Sequence, residues 1–159
     1  MPIRITATVD PSRSHVEART EHDRLIVLGT EPPENGDPAP GPKEALLAAL
    51  AGCTAMDVAS ILRKKRQSVE AYEISASGDS ADEHPKRFIA VTVEHRVRGD
   101  VTSEALRRSI ELSATRYCPI NATLSASCVV EHRYRLTTSG GEVHSALVAV
   151  TGPEGSRVL

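Results

Sequence analysis

Cysteine thiols are the candidate reactive groups of this chain, which contains three: Cys53, Cys118 and Cys128. An odd number of cysteines, behind an N-terminal segment with no apolar signal core, argues against a structural disulfide framework. None of them belongs to a Cys-x-x-Cys pair, so a structural zinc site is not expected. Each cysteine is therefore either a small buried hydrophobe, which is the commoner case, or a reactive thiol.

Cys53 lies in the most apolar stretch of the chain, LLAALAGCTAMD, and composition alone favours a buried thiol in a packed helix. Gly52 argues against simple packing of Cys53. A glycine inside a helix costs about 1 kcal/mol relative to alanine, so its presence indicates that another group approaches the helix backbone closely at this position. Asp57 lies one turn further on. Glu44 lies nine residues earlier, which on a straight helix is the opposite face. Spacing alone therefore leaves Glu44 to reach Cys53 through a bend, or to reach a site on another chain.

Cys118 is predicted at a break between elements, because Pro119 disfavours helix at the residue before it and can itself begin a short helix. Backbone N–H groups at that helix start, together with the nearby Arg116, would favour a thiolate. An inert loop cysteine is an equally good interpretation. Cys128 stands beside Val129 in a predicted strand, and packing is its expected role.

Other sites and functions find little support in the sequence. The six histidines show no metal-binding spacing and are expected to be surface or strand residues, and no phosphate-binding loop, G-x-S-x-G or EF-hand pattern occurs. A cysteine–histidine hydrolase would need a histidine beside Cys53 or Cys118 in space. The net charge of −2 and the aromatic content of 3% argue against nucleic-acid binding.

Composition also bears on location. No apolar run is expected to approach the roughly 18 residues of a membrane span, so no membrane contact is predicted. The N-terminus MPIRITATVD lacks an apolar signal core, which favours a cytoplasmic protein. The core must be built from alanine, valine, isoleucine and leucine, and a core this lean gains from a partner subunit.

The elements that must position the cysteines follow from residue patterns. Residues 3–28 are predicted to form three short strands, and the proline-rich residues 29–42 a loop. A long helix is predicted from Pro42 to Arg66, because proline suits a first helical turn. Residues 45–51 are apolar on every side, so this part of the helix is expected to be buried all round.

The rest of the chain is predicted to alternate strands and helices in an α+β order. The predicted strands come in hairpin-like clusters, which favours antiparallel sheets. Residues 1–136 are expected to form the main domain and residues 137–159 a C-terminal extension with one further strand and a loose tail. The predicted elements are strands 69–77 and 88–98, a helix from Thr102 or Ser103 to about Thr115, a short helix 120–124, and strands 127–136 and 143–150.

The segment GPKEALLAALAGCTAMDVASIL, followed by RYCPINATLSASCVVEHRY, resembles the OsmC/Ohr family of thiol peroxidases, and most of all its YhfA-like branch. The likeness covers about residues 3–136. It implies an OsmC-like α+β fold, with antiparallel sheets wrapped around a long buried central helix in an intertwined homodimer. The matching positions are Glu44, Leu46, Leu47, Gly52, Cys53, Asp57, Val58, Ile61, Leu62, Arg66-Gln67, Pro85-Lys86-x-Phe88 and Tyr117-Cys118.

The resemblance also implies an activity. Cys53 matches the peroxidatic cysteine, which attacks a peroxide and becomes a sulfenic acid. Cys118 matches the resolving cysteine, which condenses with it to a disulfide, and a lipoyl-type dithiol such as dihydrolipoamide reduces that disulfide. Apolar surroundings would favour organic hydroperoxides over hydrogen peroxide. No metal, haem, flavin or other cofactor is implied.

One departure from the family pattern concerns activation of Cys53. In the Ohr and OsmC branches an arginine–glutamate pair holds the cysteine as thiolate, and that glutamate falls where this chain has Lys43. Glu44 matches the YhfA-like branch instead. Arg13 and Arg19 are the candidate arginines, although a solvated hairpin cation is the favoured interpretation of either. Without the pair, burial would leave little thiolate, so a weakly active or non-catalytic small-molecule-binding, stress-response dimer is the alternative function.

Overall fold

The computed structural model describes residues 2–30 and 39–159. Most of the predicted proline-rich loop, residues 31–38, lies outside the described residues. By its contacts the chain divides into two compact units, Met1–Leu46 and Leu47–Leu159. The α+β class predicted from the sequence is confirmed, since strands and helices both occur and the strands form two separate sheets.

The first unit carries a three-stranded antiparallel sheet in the order β1-β2-β3, as predicted. Polar side chains close its two hairpins. Asp10 accepts a hydrogen bond from the Ser12 backbone N–H at 2.9 Å in the first turn, and Thr20 Oγ1 accepts one from Arg24 at 3.1 Å in the second. The strands are β1 (Ile5–Asp10), β2 (His15–Thr20) and β3 (Leu25–Gly29).

The long helix α1 (Pro42–Lys64) begins at the predicted proline and ends two residues before the predicted Arg66. Its buried side chains form one stripe with a spacing of four residues. The expectation that residues 45–51 are buried all round is wrong for the single chain, because Leu46 is 39% exposed and Ala48 and Ala49 are exposed as well. A single chain buries only one face of the helix. The stripe consists of Leu50, Thr54, Val58 and Leu62.

By length and composition α1 is apolar enough to cross a membrane, so the expectation that no segment approaches that length is wrong. Asp57 interrupts the apolar run in the sequence, but the helix as a whole is still long and apolar enough by length and composition. The buried four-residue stripe is typical of a core helix in a globular protein, which passes the same test of length and composition.

The second unit carries a five-stranded sheet in the order β4-β5-β6-β7-β8. Three of its four pairings are antiparallel, as predicted, but β5 and β6 pair in parallel. Parallel neighbours need a crossover, and here a helical segment between the two strands supplies it. The strands are β4 (Ser68–Ser80), β5 (Phe88–Asp100), β6 (Val129–Thr138), β7 (Val143–Gly152) and β8 (Gly155–Val158).

The crossover contains α2 (Ser103–Leu112), a π-helical turn (Ser113–Tyr117) and α3 (Pro119–Ser125). Thr102 caps α2 as predicted, with its side chain accepting from the Ala105 backbone N–H. The predicted helix up to Thr115 is wrong in its last turn, which widens into the π-helical turn. Such turns occur mostly as single wide turns and are frequent at functional sites.

The last nine residues are ordered as sheet, so the predicted loose tail is wrong. Gly152 pairs with Gly155 around a two-residue turn, and β8 runs back along β7. Gly155 has φ +115°, a conformation open to glycine, and this makes the tight turn possible. The predicted boundary between a main domain (residues 1–136) and a C-terminal extension (residues 137–159) falls inside β6. This division stays a prediction.

The second unit has two apolar clusters between its sheet and its helices. The first packs Leu62 of α1 and Ile110 of α2 against Leu136 and Val148 of the sheet. The second contains Leu50, Phe88, Val91, Leu124 and Val130 together with two cysteines, Cys118 and Cys128. Cys53 packs against its edge. The candidate thiols therefore lie at the margin of an apolar core.

Candidate active site

The fold brings Cys53 and Cys118 together although they lie 65 positions apart in the sequence. Their Sγ atoms lie 2.7 Å apart, with the Cys118 thiol donating toward Cys53, and both cysteines are free thiols. Cys53 is half-buried on α1, whereas Cys118 is only 3% exposed. The sulfurs are close enough that a disulfide, with its S–S bond of about 2.05 Å, requires only a small movement.

Local sequence explains where the Cys118 sulfur points. Pro119 is the first residue of α3, and Cys118 caps that helix in an extended conformation, so the predicted break is confirmed. Its backbone N–H donates to the Ser113 carbonyl at 3.0 Å, the bond that closes the π-helical turn. Its sulfur accepts from the Asn121 backbone N–H at 3.3 Å and from the Thr54 hydroxyl at 3.8 Å. Backbone geometry on both sides thus fixes the thiol.

Cys53 is held as a neutral thiol in this arrangement. The pKa of Cys53 is raised to about 11, chiefly by burial and in addition by its contact with Cys118 and the nearby carboxylate of Asp57, while the Ile120 backbone N–H acts in the opposite direction. Within the described part of the chain, the groups that set this pKa are neutral or acidic. The single chain therefore favours the thiol over the thiolate at neutral pH.

Asp57 is the third member of the cluster. It follows Cys53 by four residues, so both side chains leave the same face of α1. Its Oδ2 accepts a hydrogen bond from the buried Ser113 hydroxyl at 2.9 Å. The sulfurs of Cys53 and Cys118 and a carboxylate oxygen of Asp57 all lie within 4.8 Å of one another. The sequence placed Asp57 one turn from Cys53, but nothing in it indicated Ser113.

Gly52 does not make the close approach expected of it. A methyl group added at this position would meet no atom within 4 Å in the part of the chain that the structure describes. The residue before Cys53 thus lies on an open face of α1.

The predicted activating residues lie in the first unit. Glu44 is in the first turn of α1, where its Oε2 accepts from the Gly41 backbone N–H at 2.7 Å, a capping contact. Arg13 pairs with Asp10 at 3.1 Å, and Arg19 pairs with Asp23 at 2.8 Å, within the hairpins. These are the contacts expected of hairpin cations. Any catalytic part for Glu44, Arg13 or Arg19 stays a prediction.

The remaining cysteine packs as predicted. Cys128 is buried, and its thiol donates to the Leu124 carbonyl at 3.4 Å. Burial raises the pKa of this thiol as well. Cys128 is therefore a core residue beside the cysteine pair.

Two of the six histidines, His95 and His132, lie on strands, which was expected, and are also buried, which was not. His95 and His132 are fully buried on neighbouring strands, with ring centroids 6.0 Å apart. Burial lowers the pKa of His95 to about 3, with a further contribution from His132, and that of His132 to about 4, so both are neutral at pH 7. His95 Nδ1 is 2.7 Å from the Tyr72 hydroxyl. Sequence reasoning missed this burial because strand position alone does not say which face is covered.

Asn121 connects the buried polar groups to the cysteine pair. Its Oδ1 is 2.9 Å from His132 Nε2, and its Nδ2 donates to the Ala114 carbonyl at 2.7 Å and to Thr151 Oγ1 at 3.1 Å. Its backbone N–H donates to Cys118, as described above. A histidine thus reaches the thiols only through Asn121 in the described residues, and this disfavours the hydrolase alternative.

Comparison with known proteins decides the family. A family model described as OsmC-like protein matches residues 34–133. The chain belongs to the OsmC-like protein family. Among the relatives of this OsmC-like chain, Protein YhfA of Escherichia coli strain K12 is 35% identical over 106 residues, which are 66% of this chain and 79% of the relative. The resemblance to the YhfA-like branch is thereby confirmed.

Solved structures show the same fold. A hypothetical protein from Aquifex aeolicus VF5 superposes with a TM-score of 0.78 at 23% identity, covering 87% of this chain and 98% of that one. The organic hydroperoxide resistance protein OhrB of Bacillus subtilis superposes with a TM-score of 0.58 at 15% identity, covering 86% and 98%. An organic hydroperoxide resistance protein OsmC from Legionella pneumophila gives 0.60 at 16% identity, covering 86% and 96%.

Proposed function

We propose that this OsmC-like protein is a thiol-dependent peroxidase that reduces organic hydroperoxides. The observation that carries the proposal is the 2.7 Å separation of the Cys53 and Cys118 sulfurs, at the edge of an apolar cluster. The names of the Bacillus subtilis and Legionella pneumophila proteins, which share the fold, support the substrate class.

The proposed reaction has three balanced steps. The Cys53 thiolate attacks one oxygen of the hydroperoxide, the O–O bond breaks, and a sulfenic acid and an alcohol form, the alkoxide taking up a proton. The Cys118 thiol then attacks the sulfenic sulfur, so that an S–S bond forms and water leaves. A lipoyl-type dithiol restores both thiols by exchange and is itself oxidised to a disulfide.

The difference in solvent exposure between the two cysteines supports their proposed roles, with Cys53 peroxidatic and Cys118 resolving. Cys53 is half-buried, and Cys118 lies behind it with 3% of its surface exposed. A peroxide arriving from solvent therefore meets Cys53 first. Cys118 is then already in position to attack the sulfenic acid, because its sulfur contacts that of Cys53 before any oxidation.

The environment of the thiols supports an organic substrate. Leu47 and Ile120 are half-buried and pack with Cys53 against the cluster around Leu50 and Phe88. Burial of alkyl groups against such a surface gains about 25 cal/mol per Å². Hydrogen peroxide has no alkyl group and gains nothing from these contacts, so the site favours organic hydroperoxides.

The proposal requires a group that lowers the pKa of Cys53 from its raised value. Glu44 with Arg13 or Arg19 is the predicted source, in line with the family's activating pair. We propose that the working form is a cytoplasmic homodimer in which the exposed apolar face of α1, including Met56, is covered by a second chain. A homodimer could also bring such a pair to a thiol of the other chain.

The test is peroxide consumption with dihydrolipoamide as reductant, comparing cumene hydroperoxide with hydrogen peroxide. Wild type and Cys128→Ala are expected to consume the organic peroxide faster, and Cys53→Ser is expected to be inactive. Cys118→Ser is expected to complete one turnover and to hold Cys53 as sulfenic acid, detected with a dimedone-type reagent. Full turnover by Cys53→Ser would overturn the proposal.

The raised pKa of Cys53 favours one second candidate, a small-molecule-binding or stress-response dimer with weak or no turnover. It predicts that an apolar ligand binds tightly to wild type while peroxide loss does not exceed that of Cys53→Ser. Rapid Cys53-dependent loss of cumene hydroperoxide would exclude it.

A further inference from the structure

We propose that the reduced Cys53–Cys118 pair and Asp57 form a reversible binding site for Zn²⁺, and that the bound ion shields both thiols from oxidation. The binding part stands on the geometry of the three side chains. The consequence, inhibition of peroxide turnover, rests on the proposed function.

The three ligand atoms converge from two elements. Cys53 and Asp57 stand four residues apart on α1, and Cys118 comes from the start of α3. Two sulfurs and one carboxylate oxygen lie within 4.8 Å of one another. Two thiolates and a carboxylate with one open position match the ligand types and number of non-structural zinc sites.

The geometry requires one small adjustment. Sulfurs bound to tetrahedral zinc at about 2.3 Å lie about 3.8 Å apart, so the present 2.7 Å has to widen by about 1 Å. Rotation about the Cα–Cβ bond of Cys53 can supply that movement, because this side chain is only half-buried. Cys118 is held on both sides by backbone bonds and stays in place.

Outer contacts orient two of the three ligands. The Ser113 hydroxyl donates to Asp57, which leaves the other lone pairs of that carboxylate for a metal. Thr54 and the Asn121 backbone N–H donate to Cys118. Hydrogen bonds of this kind fix metal ligands in their binding orientation and raise affinity.

The donor set selects the ion. Thiolates prefer zinc and softer ions, whereas magnesium and calcium prefer sets made of oxygen alone. A divalent cation also neutralises two of the three negative charges that thiolates and carboxylate would bring together, and two thiol protons leave for solvent. The half-buried Cys53 leaves the site open on one side.

Zinc binding and oxidation exclude each other. A disulfide between Cys53 and Cys118 removes both thiolate ligands, and a zinc-bound thiolate pair is withdrawn from attack on a peroxide. The same side chains would thus respond to oxidant in one state and to zinc in the other. Sequence spacing does not indicate this site, because its ligands do not form a Cys-x-x-Cys pair.

The test measures metal binding in the absence of peroxide. Reduced, chelator-treated protein is titrated with Zn²⁺ against a chromophoric chelator, and Co²⁺ is used in parallel to detect thiolate-to-cobalt charge transfer. We expect one ion per chain in wild type and in Cys128→Ala, and at least tenfold weaker binding in Cys53→Ser and Asp57→Asn. Wild type oxidised to the disulfide, which carries no substitution, is expected to bind no ion.

The outcomes separate this site from the proposed peroxidase. Equal zinc affinity in wild type and Asp57→Asn, or in the reduced and disulfide forms, overturns the metal site. Absence of peroxide turnover with intact thiol-dependent zinc binding overturns the peroxidase and leaves the metal site standing. Circular dichroism of each variant checks that lost binding does not come from unfolding.

Discussion

The side-chain amide of Asn121 donates to Oγ1 of Thr151 at 3.1 Å and so joins the first turn of α3 to strand β7. Asn121 is also the residue whose backbone N–H contacts the Cys118 sulfur. Thr151 lies beyond the residues 34–133 that match the family model. The last strands of the chain therefore contribute to the placement of its second cysteine.

Replacing Thr151 tests that connection. Thr151→Val keeps the shape of the side chain and removes the acceptor, so one amide proton of the buried Asn121 loses its partner. We expect a loss of about 1–2 kcal/mol in the free energy of unfolding, measured with urea. We also expect slower formation of the Cys53–Cys118 disulfide after a peroxide pulse. Thr6→Val, on the exposed strand β1, is the matched control. An unchanged rate would limit Thr151 to a role in stability.

Removing the charge of Glu44 distinguishes its role as a helix cap from the predicted role in activating Cys53. Glu44→Gln keeps an oxygen that can accept from the Gly41 backbone N–H, and glutamine serves well at this position of a helix. Its unfolding free energy is therefore expected to stay within about 0.5 kcal/mol of wild type. If Glu44 helps to activate Cys53, the rate of peroxide consumption falls by roughly tenfold or more. An unchanged rate would make Glu44 a cap alone.

The buried histidines predict a stability that depends on pH. In the unfolded chain His95 and His132 take up protons near pH 6.5, whereas in the folded chain they do so only near pH 3 and pH 4. Between those values the unfolded state binds more protons, so stability falls as the pH falls. From pH 8 to pH 5 we expect a loss of about 2 kcal/mol per histidine.

Urea unfolding at fixed protein concentration measures this loss. His95→Gln is expected to reduce the pH dependence by about half, because only one buried imidazole is left to protonate. Substitution of the exposed His22 by alanine should leave it unchanged. A pH dependence equal in wild type and His95→Gln would contradict the assignment.

The solvent exposure of the three cysteines predicts the order in which they are alkylated. In the reduced native protein Cys53 is half-buried, and both Cys118 and Cys128 are 3% exposed. We expect iodoacetamide to modify Cys53 first and the other two only after unfolding, as read by peptide mass spectrometry. Protein unfolded in urea, in which all three react, is the control. Faster modification of Cys118 would reverse the proposed order of attack.

Substitution of Gly52 reports on the open face of α1. The added methyl group of Gly52→Ala meets no atom within 4 Å in the described chain, so a chain without a partner is expected to be stabilised by about 1 kcal/mol. In the proposed homodimer a second chain covers this face, and there the methyl group is expected to destabilise the interface. Urea unfolding measures this, and sedimentation measures the oligomeric state. Destabilisation together with dissociation of a dimer would place a second chain against Gly52.

Local rules predicted the local parts of the structure well. Pro42 and Pro119 begin helices where the sequence said they would, and Cys118 falls at the break before Pro119. Each of these follows from the backbone restrictions of proline, which act within a few residues. The short strands of the first unit were likewise predicted from the alternation of apolar and polar residues and from the turn residues between them.

The contacts that form the site could not be predicted in the same way. Ser113 and Asp57 lie 56 residues apart, and only the crossover between the parallel strands β5 and β6 brings them together. Burial of His95 and His132 depends on which face of the sheet the helices cover. The final strand β8 was missed because Gly152 and Gly155 are typical of loops as well as of tight turns.

The separation of 65 positions between Cys53 and Cys118 also has a consequence during synthesis. A ribosome adding about 5–20 residues per second makes the second cysteine roughly 3–13 s after the first. Throughout that interval the nascent chain carries Cys53 without the thiol that would trap its sulfenic acid as a disulfide. Oxidant that reaches the chain then can carry Cys53 on to sulfinic acid, a largely irreversible state. If Cys53 is the peroxidatic cysteine, as proposed, each new molecule passes through an interval in which Cys53 can be over-oxidised, and this interval ends when Cys118 reaches it in the finished fold.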